Sequence, residues 1–227
     1  MKIVLSVVLT AVAGLIATAT AVAEEMFPRP GDPVAVVTFD VMPGNGSMVP
    51  TLLSPGPATL QPGRFGLAAQ ITDKALLYRL PTVFSPESGS IEMWIRPDYD
   101  SGDNAYHRFF DLAGQSTKAN VFLYKSGDGG KNGLFMVVYD QDGTRVNAMA
   151  VHEHGYSWHA GEWHHIGGSW DARAGLVNLF VDGRQVAVYR GEPFVLGEVQ
   201  PQFAIGGMPG SGNLATGLID EVRFYRD

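Results

Sequence analysis

Hydrophobic and polar positions alternate along this chain in short runs, and the run from Trp163 to Arg190 is the clearest. Trp163–Trp170 is aromatic and β-branched in character. In Gly175–Val181, Val177, Leu179 and Val181 fall on one side, and Asn178 and Phe180 on the other. Asp182-Gly183 then offers the two positive-φ positions of a tight hairpin, and Arg184–Arg190 returns with Val186 and Val188 on one face. A tight turn sets register, and register decides which side chains enter a core. The stretch therefore predicts a meander with one buried face, which needs a second layer to cover it.

The same period-two signal predicts strands over Val34–Val41, Phe65–Ile71, Ala75–Leu80, Gly89–Pro97, Tyr106–Ala113, Asn120–Lys125, Leu134–Asp140, Thr144–Val151, Gln202–Ile205 and Thr216–Tyr225. A short strand at most is expected near Ala58–Leu60, inside a proline-rich connection from Met42 to Gly63. In Gly89–Pro97, Ile91, Met93 and Ile95 point one way and Glu92, Trp94 and Arg96 the other. Asp142-Gly143 is a second hairpin signal. With 28 glycines and 14 prolines and no long apolar run at helical spacing, helices are disfavoured. The expected class is all-β: two antiparallel sheets packed as a sandwich or jelly roll.

The N-terminus changes the picture of where this fold works. Lys2 precedes an apolar run from Ile3 to about Ala23, closed by Ala21-Val22-Ala23 before Glu24-Glu25. That pattern predicts a signal peptide over 1–23, cleaved after Ala23, and hence a secreted or periplasmic protein. The run is long enough to span a bilayer, but its Ala-, Thr- and Gly-rich second half and its cleavage pattern favour removal. Residues 24–33 read as an exposed leader and 34–227 as one domain, with no membrane span after cleavage. A formal net charge of −7 argues against nucleic acid, whose phosphates need a basic face. Cysteine is absent, which points to a bacterial envelope or exported protein rather than a disulfide-built extracellular module.

Three segments in order carry a resemblance: GSIEMWIRP (89–97), EWHHIGGSWDARAGLVNLFVDGRQVA (162–187) and GLIDEVRFYRD (217–227). With VVTFD and PGRFGLAAQITDKALLY before them, they resemble the LamG-like branch of the concanavalin A-like lectin/glucanase superfamily, in its bacterial single-domain form. The resemblance spans Val34 to Arg226 and implies a concanavalin A-like jelly roll, often with a structural calcium ion. It does not imply one activity. Members include lectins, glycan-binding and adhesion modules and, on related scaffolds, glycosidases and lyases, so function must be argued from a site.

Alternation places Asp220 with Leu218, Val222 and Phe224, and Asp40 with Val34, Val36 and Thr38, on faces expected to be core. A buried carboxylate is costly unless compensated. Two compensations stay open: Ca²⁺, which selects carboxylate and carbonyl oxygens and which the resemblance supports at Asp40 and Asp220 with Asp73 as a weaker third; or backbone N–H groups and arginine. Asp98, Asp100 and Asp103 form a second oxygen cluster, read as a solvated loop. His152 and His154, with His159 or Glu162, have metal-ligand chemistry but no zinc-site spacing, and are read as ordinary surface or hydrogen-bonded groups. Trp163 and Trp170 match packing positions of the family.

Trp94, flanked by Glu92 and Arg96, and Trp158, near Tyr156, are the candidates for stacking on sugar rings. The paired carboxylates of a glycosidase, a Gly-x-Ser-x-Gly elbow and a nucleophilic cysteine are all missing from the sequence. The expected function is non-catalytic glycan binding with a structural calcium. An envelope or extracellular protein as partner, and a divergent polysaccharide hydrolase or lyase, are the alternatives.

Overall fold

The computed structural model describes residues 32–40, 50–54, 59–82, 84–112, 121–127, 132–197, 199–208 and 212–226. The expected signal peptide and most of the leader lie outside them, as does most of the proline-rich connection. The described residues form strands and no helix: β1 Ala35–Val37, β2 Leu60–Pro62, β3 Leu67–Ile71, β4 Leu76–Arg79, β5 Ser88–Pro97, β6 His107–Asp111 and β7 Val121–Ser126. They continue with β8 Gly133–Tyr139, β9 Arg145–Val151, β10 His164–Asp171, β11 Leu176–Val181, β12 Arg184–Arg190, β13 Gln202–Ile205 and β14 Gly217–Tyr225.

Two antiparallel sheets result. The eight-stranded sheet runs β12-β11-β10-β5-β14-β3-β2, with β1 also on β14; the six-stranded sheet runs β4-β13-β6-β7-β8-β9. Chain neighbours therefore fill one end of each sheet, while the long strands β5 and β14 join the two chain halves at the centre of the larger one. β3 and β1 pair with successive stretches of β14, at Gly217–Ile219 and Val222–Phe224. The all-β two-sheet sandwich expected from the turn spacing is thus the fold observed.

Between the sheets lies one core. Ile91, Met93 and Ile95 of β5, Val177, Leu179 and Val181 of β11, and Leu134, Met136 and Val138 of β8 all enter it, as period-two alternation requires. The sheets approach closely at Gly168, where an added Cβ would sit 2.5 Å from the Met136 sulfur.

Alternation fails where bulges interrupt it. In β14 the register shifts between Asp220 and Arg223, and Glu221 takes φ 49°. Ile219, Val222 and Phe224 face the core; Asp220 shares the outer face with its partner Trp94. The expected placement of Asp220 beside Val222 and Phe224 is corrected by that extra residue. In β1, Ala35 and Val37 are the core residues and Val36 pairs with outward Arg223, the opposite of the expected parity. In β12 a shift opposite Leu179–Phe180 lets Val186 and Ala187 both pack on the core and turns Val188 outward, 42% exposed. In β6 a shift between Arg108 and Phe110 sends both Phe109 and Phe110 inward, and leaves Arg108 and Asp111 together on the outer face.

Candidate functional site

The outer face of the six-stranded sheet carries rows of aromatic side chains. Arg108, Tyr124, Phe135 and Met149 are successive cross-strand partners, as are Asp111, Phe122, Val137 and Asn147; Tyr139 faces Arg145 beside them. Facing positions on antiparallel strands hold their Cβ atoms about 4.5–5.5 Å apart, so rings there stack. Tyr106 lies on Tyr124 with centroids 4.7 Å apart and planes 16° from parallel, and Tyr124 lies on Phe135 at 4.7 Å and 7°. Phe122 adds contacts to Tyr124 at 5.5 Å and Tyr139 at 6.0 Å. Phe122, Tyr124 and Val137 are buried as a small cluster separate from the main core, while Tyr106, Phe135 and Tyr139 are half-buried around it.

Two arginines border the rings in different states. Arg108 is 8% exposed, 4.0 Å above Phe122, and donates to Asp111 at 2.7 Å and to the Tyr106 hydroxyl at 2.6 Å. Arg145 is exposed; it lies 5.3 Å from the Phe135 ring and donates to the Tyr124 hydroxyl at 2.7 Å. Burial pushes the Tyr106 hydroxyl up to about 12 and raises that of Tyr124, with the nearby arginines pulling the other way. Both phenols therefore stay neutral near pH 7. Such half-buried rings, flanked by fixed polar groups, offer apolar surface and ring edges of positive character beside hydrogen-bonding donors.

At the Tyr106 end of this face lies an open cleft of about 500 Å³, lined by Asp100, Gly102, Asp103, His152, Glu153, Ser157, Trp158 and His159. Its floor is pinned by wholly buried Lys125, which binds the Asp103 carboxylate and the Asp103 carbonyl, the latter at 2.6 Å. His107 bridges Asp103 (2.8 Å) and the Leu214 carbonyl (2.9 Å), stacked on Tyr99. Burial alone would raise the Asp103 pKa, but Lys125 and His107 hold it below the usual carboxylate range.

The tryptophans singled out in the sequence are placed otherwise. Trp94 is 8% exposed because the turn between β2 and β3 roofs it, with Arg64 4.8 Å and Phe65 6.0 Å from its ring. Glu92 is 1% exposed, accepts from Tyr225 at 2.6 Å, and lies 3.4 Å from His165 and 3.8 Å from Arg223. Arg96, half-buried, lies 5.7 Å from the ring of Trp163, which is itself half-buried where core packing was expected. Trp158 and Tyr156 are core residues at 2% and 3% exposure, Trp158 edge-on to Phe109. These five residues thus divide among a roofed patch, the far end of the central strand β5 and the core, and form no common surface.

Asp40 and Asp220 do meet, at the tight turn closed by the Gly63 amide and the Gly66 carbonyl at 2.9 Å. Asp220 accepts from the Phe65 amide at 2.9 Å and Asp40 from the Leu67 amide at 2.7 Å. Backbone amides therefore compensate both carboxylates in part, though Asp220 Oδ1 is buried with no hydrogen bond and burial raises its pKa to about 6. Asp73 lies past the far end of β3, roughly 20 Å along the strand at about 3.3 Å per residue. Among the described residues no three His, Cys, Asp or Glu groups stand together as a metal site.

The other acids and histidines serve the loops. Asp98 binds Thr216, Asp100 accepts from the Ala160 amide, and Glu162 accepts from the His159 amide. β9 ends at Val151, and Glu153 takes φ 64°, so His152 and His154 do not share a strand face.

The ring rows are hard to see in the sequence because β7 and β8 carry apolar or aromatic residues on both faces, so alternation does not tell which face is outward. The available signal was aromatic residues at alternate positions on consecutive strands: Phe122 and Tyr124, then Phe135 and Tyr139.

Comparison with known proteins agrees with the fold. No curated protein matches the chain in sequence. Among solved structures it is similar to the receptor binding domain of botulinum neurotoxin mosaic serotype C/D, with TM-score 0.64 and 9% identity over 86% of this chain and 47% of that one. It is similar to the botulinum neurotoxin serotype G binding domain, with TM-score 0.64 and 9% identity over 85% of this chain and 47% of that one. The chain thus spans about half the length of those neurotoxin chains. Domain 4 of AbnA, a GH43 extracellular arabinanase from Geobacillus stearothermophilus, in complex with arabinotriose, matches with TM-score 0.53 and 19% identity over 85% of this chain and 81% of that one. At these identities the likeness is one of fold. The family model described as the concanavalin A-like lectin/glucanases superfamily matches residues 70–227, from β3 onward, and the chain belongs to that superfamily.

Proposed function

We propose that this chain is a non-catalytic module that holds carbohydrate against the outer face of its six-stranded sheet. One observation carries the reading: the stacked row Tyr106–Tyr124–Phe135, half-exposed at its ends and bordered by Arg108 and Arg145. An outer sheet face that meets only water carries polar residues in alternation; this one carries rings. Domains of the same fold include one crystallised with arabinotriose and several that bind receptors. Against catalysis, a retaining glycosidase needs two carboxylates about 5–5.5 Å apart. Among the described strand residues of this face the acid is Asp111, and it is tied to Arg108.

Two further parts of the reading concern export and calcium. The Ala21-Val22-Ala23 pattern supports export, which would bring the ring face to extracellular or periplasmic glycans. Calcium at the β2–β3 turn is supported by the meeting of Asp40 and Asp220 and by the unpartnered Asp220 Oδ1. These two carboxylates supply part of a calcium shell, so carbonyls or water must supply the rest. A second reading, docking to a protein, has one observation in its favour: Val195, 58% exposed, in a groove it lines with Pro86, Phe194 and Leu196 beside the Glu87–Arg173 ion pair.

Affinity electrophoresis through gels cast with different polysaccharides tests the main reading. The full chain is expected to be retarded by at least one of them, and Phe135→Ala to run freely while unfolding at nearly the same denaturant concentration. Free migration of the wild type in every gel would overturn the carbohydrate reading.

A further inference from the structure

We propose that the ring face selects polysaccharides bearing uronate groups, and that the Arg145 guanidinium is the group that takes the sugar carboxylate. This rests on the carbohydrate reading above and goes beyond it in naming the ligand's charge. The two arginines beside the rings differ in what remains free. Arg108 is buried and neutralised by Asp111, with a second bond spent on Tyr106. Arg145 projects from β9, and among the described residues no carboxylate lies within ion-pairing distance of it; its partners there are a phenol and two ring faces. Asp140, in the neighbouring turn, instead accepts from the amides of Asp142 and Thr144.

The setting of Arg145 is that of a positioned donor. The Tyr124 hydroxyl holds Nη2 at 2.7 Å, and the Tyr124 and Phe135 rings lie 5.8 Å and 5.3 Å from the guanidinium carbon. A side chain so held loses less freedom on binding than a free surface arginine. A guanidinium carries five N–H donors in a planar fork suited to two carboxylate oxygens, and the phenol uses one. A sugar lying along the ring row would bring its equatorial substituents to the strand-β9 side, where Arg145 and Asn147 stand one alternate position apart. A uronate offers a carboxylate at such a position; a neutral hexose offers a hydroxymethyl group, which leaves the fork's charge unmet.

The overall charge sharpens the expectation. A chain of net charge −7 does not attract polyanions from a distance. Selection must come from one local contact, so binding should weaken only mildly with salt, unlike a basic patch that meets many charges.

The test uses the full chain in gels containing polygalacturonate or its fully methyl-esterified form, which share a backbone and differ in charge. Wild type is expected to bind the acid at least about tenfold more tightly than the ester, the scale of a charge-assisted hydrogen bond. Arg145→Gln should bring acid binding down to the level of the ester. Tyr124→Phe, which frees the guanidinium but keeps the ring, should lie between. Equal retention of wild type by acid and ester overturns the charge selection and leaves the carbohydrate reading standing. Retention of Arg145→Gln equal to wild type on the acid overturns the role of Arg145. Free migration of wild type on both polymers overturns the inference for uronates, while retention on another neutral polysaccharide would still support the function proposed above.

Discussion

His164 is a proton-dependent clasp between two acids. Its Nδ1 lies 2.8 Å from Asp182 and its Nε2 3.6 Å from Glu162. Burial disfavours the charged ring, but the two carboxylates outweigh burial and raise the pKa above its ordinary value. The folded protein therefore holds this proton more tightly than the unfolded chain does. The stabilisation is complete below the unfolded pKa of about 6.5 and fades as pH rises through the folded value. His164→Gln is expected to flatten the fall in thermal midpoint from about pH 6 to about pH 8; an unchanged slope would remove the clasp from the account. Trp158 makes a second case at this scale. As a core residue, its replacement by alanine should cost about 3–5 kcal/mol in chemical denaturation, with sugar retention per folded molecule unchanged. Its sequence context, between Ser157 and His159, looks like a surface loop; that it folds inward onto Phe109 depends on a contact distant in the chain.

The turn between β2 and β3 is the element that closes the outer face of the larger sheet. Two acids from opposite ends of the described chain hold it, and it in turn roofs Trp94. Gly66 sits there at φ 55°, and an added Cβ would fall 2.1 Å from an Asp40 oxygen. Gly66→Ala should therefore cost about 1–3 kcal/mol, and amide exchange at Phe65 and Leu67 should quicken. Strand positions and the hairpins β8–β9 and β11–β12 were legible in the sequence because alternating runs and Asp-Gly turns are local signals. A pairing of Phe65–Ile71 with Ala75–Leu80, which their closeness in sequence suggests, is corrected by the structure, where β3 joins β14 and β4 joins β13 in the other sheet. Which face each residue takes was legible only up to the next bulge. β6, β12 and β14 each carry one, and an inserted residue reverses every parity beyond it. The meeting of Asp40 and Asp220 survived that error, because the pairing of β1 with β14 brings the two acids to one place whichever way they point.

For the whole molecule, the two sheet faces that look away from the core have different fates. That of the eight-stranded sheet is buried around Glu92, Trp94 and His165; that of the six-stranded sheet keeps half-open rings and an exposed guanidinium that, among the described residues, has no carboxylate partner. The tryptophans drew attention to the first, since alternation shows which residues leave a core and not what later covers them. Calcium is tested at this scale as well. Removing it with a chelator is expected to lower the thermal midpoint, since an ion bound to the folded state alone must stabilise it; an unchanged midpoint would leave the turn to its amide bonds. The claim on which the functional account rests is the identity of the binding face. It is tested most directly by following backbone amide shifts while the full chain is titrated with a short oligosaccharide of whichever polymer retards it. The account predicts that the shifts gather at Tyr106, Tyr124, Phe135, Arg145 and Asn147. Shifts gathered instead at Arg96 and Trp163, or around the cleft between Asp100 and His159, would contradict it.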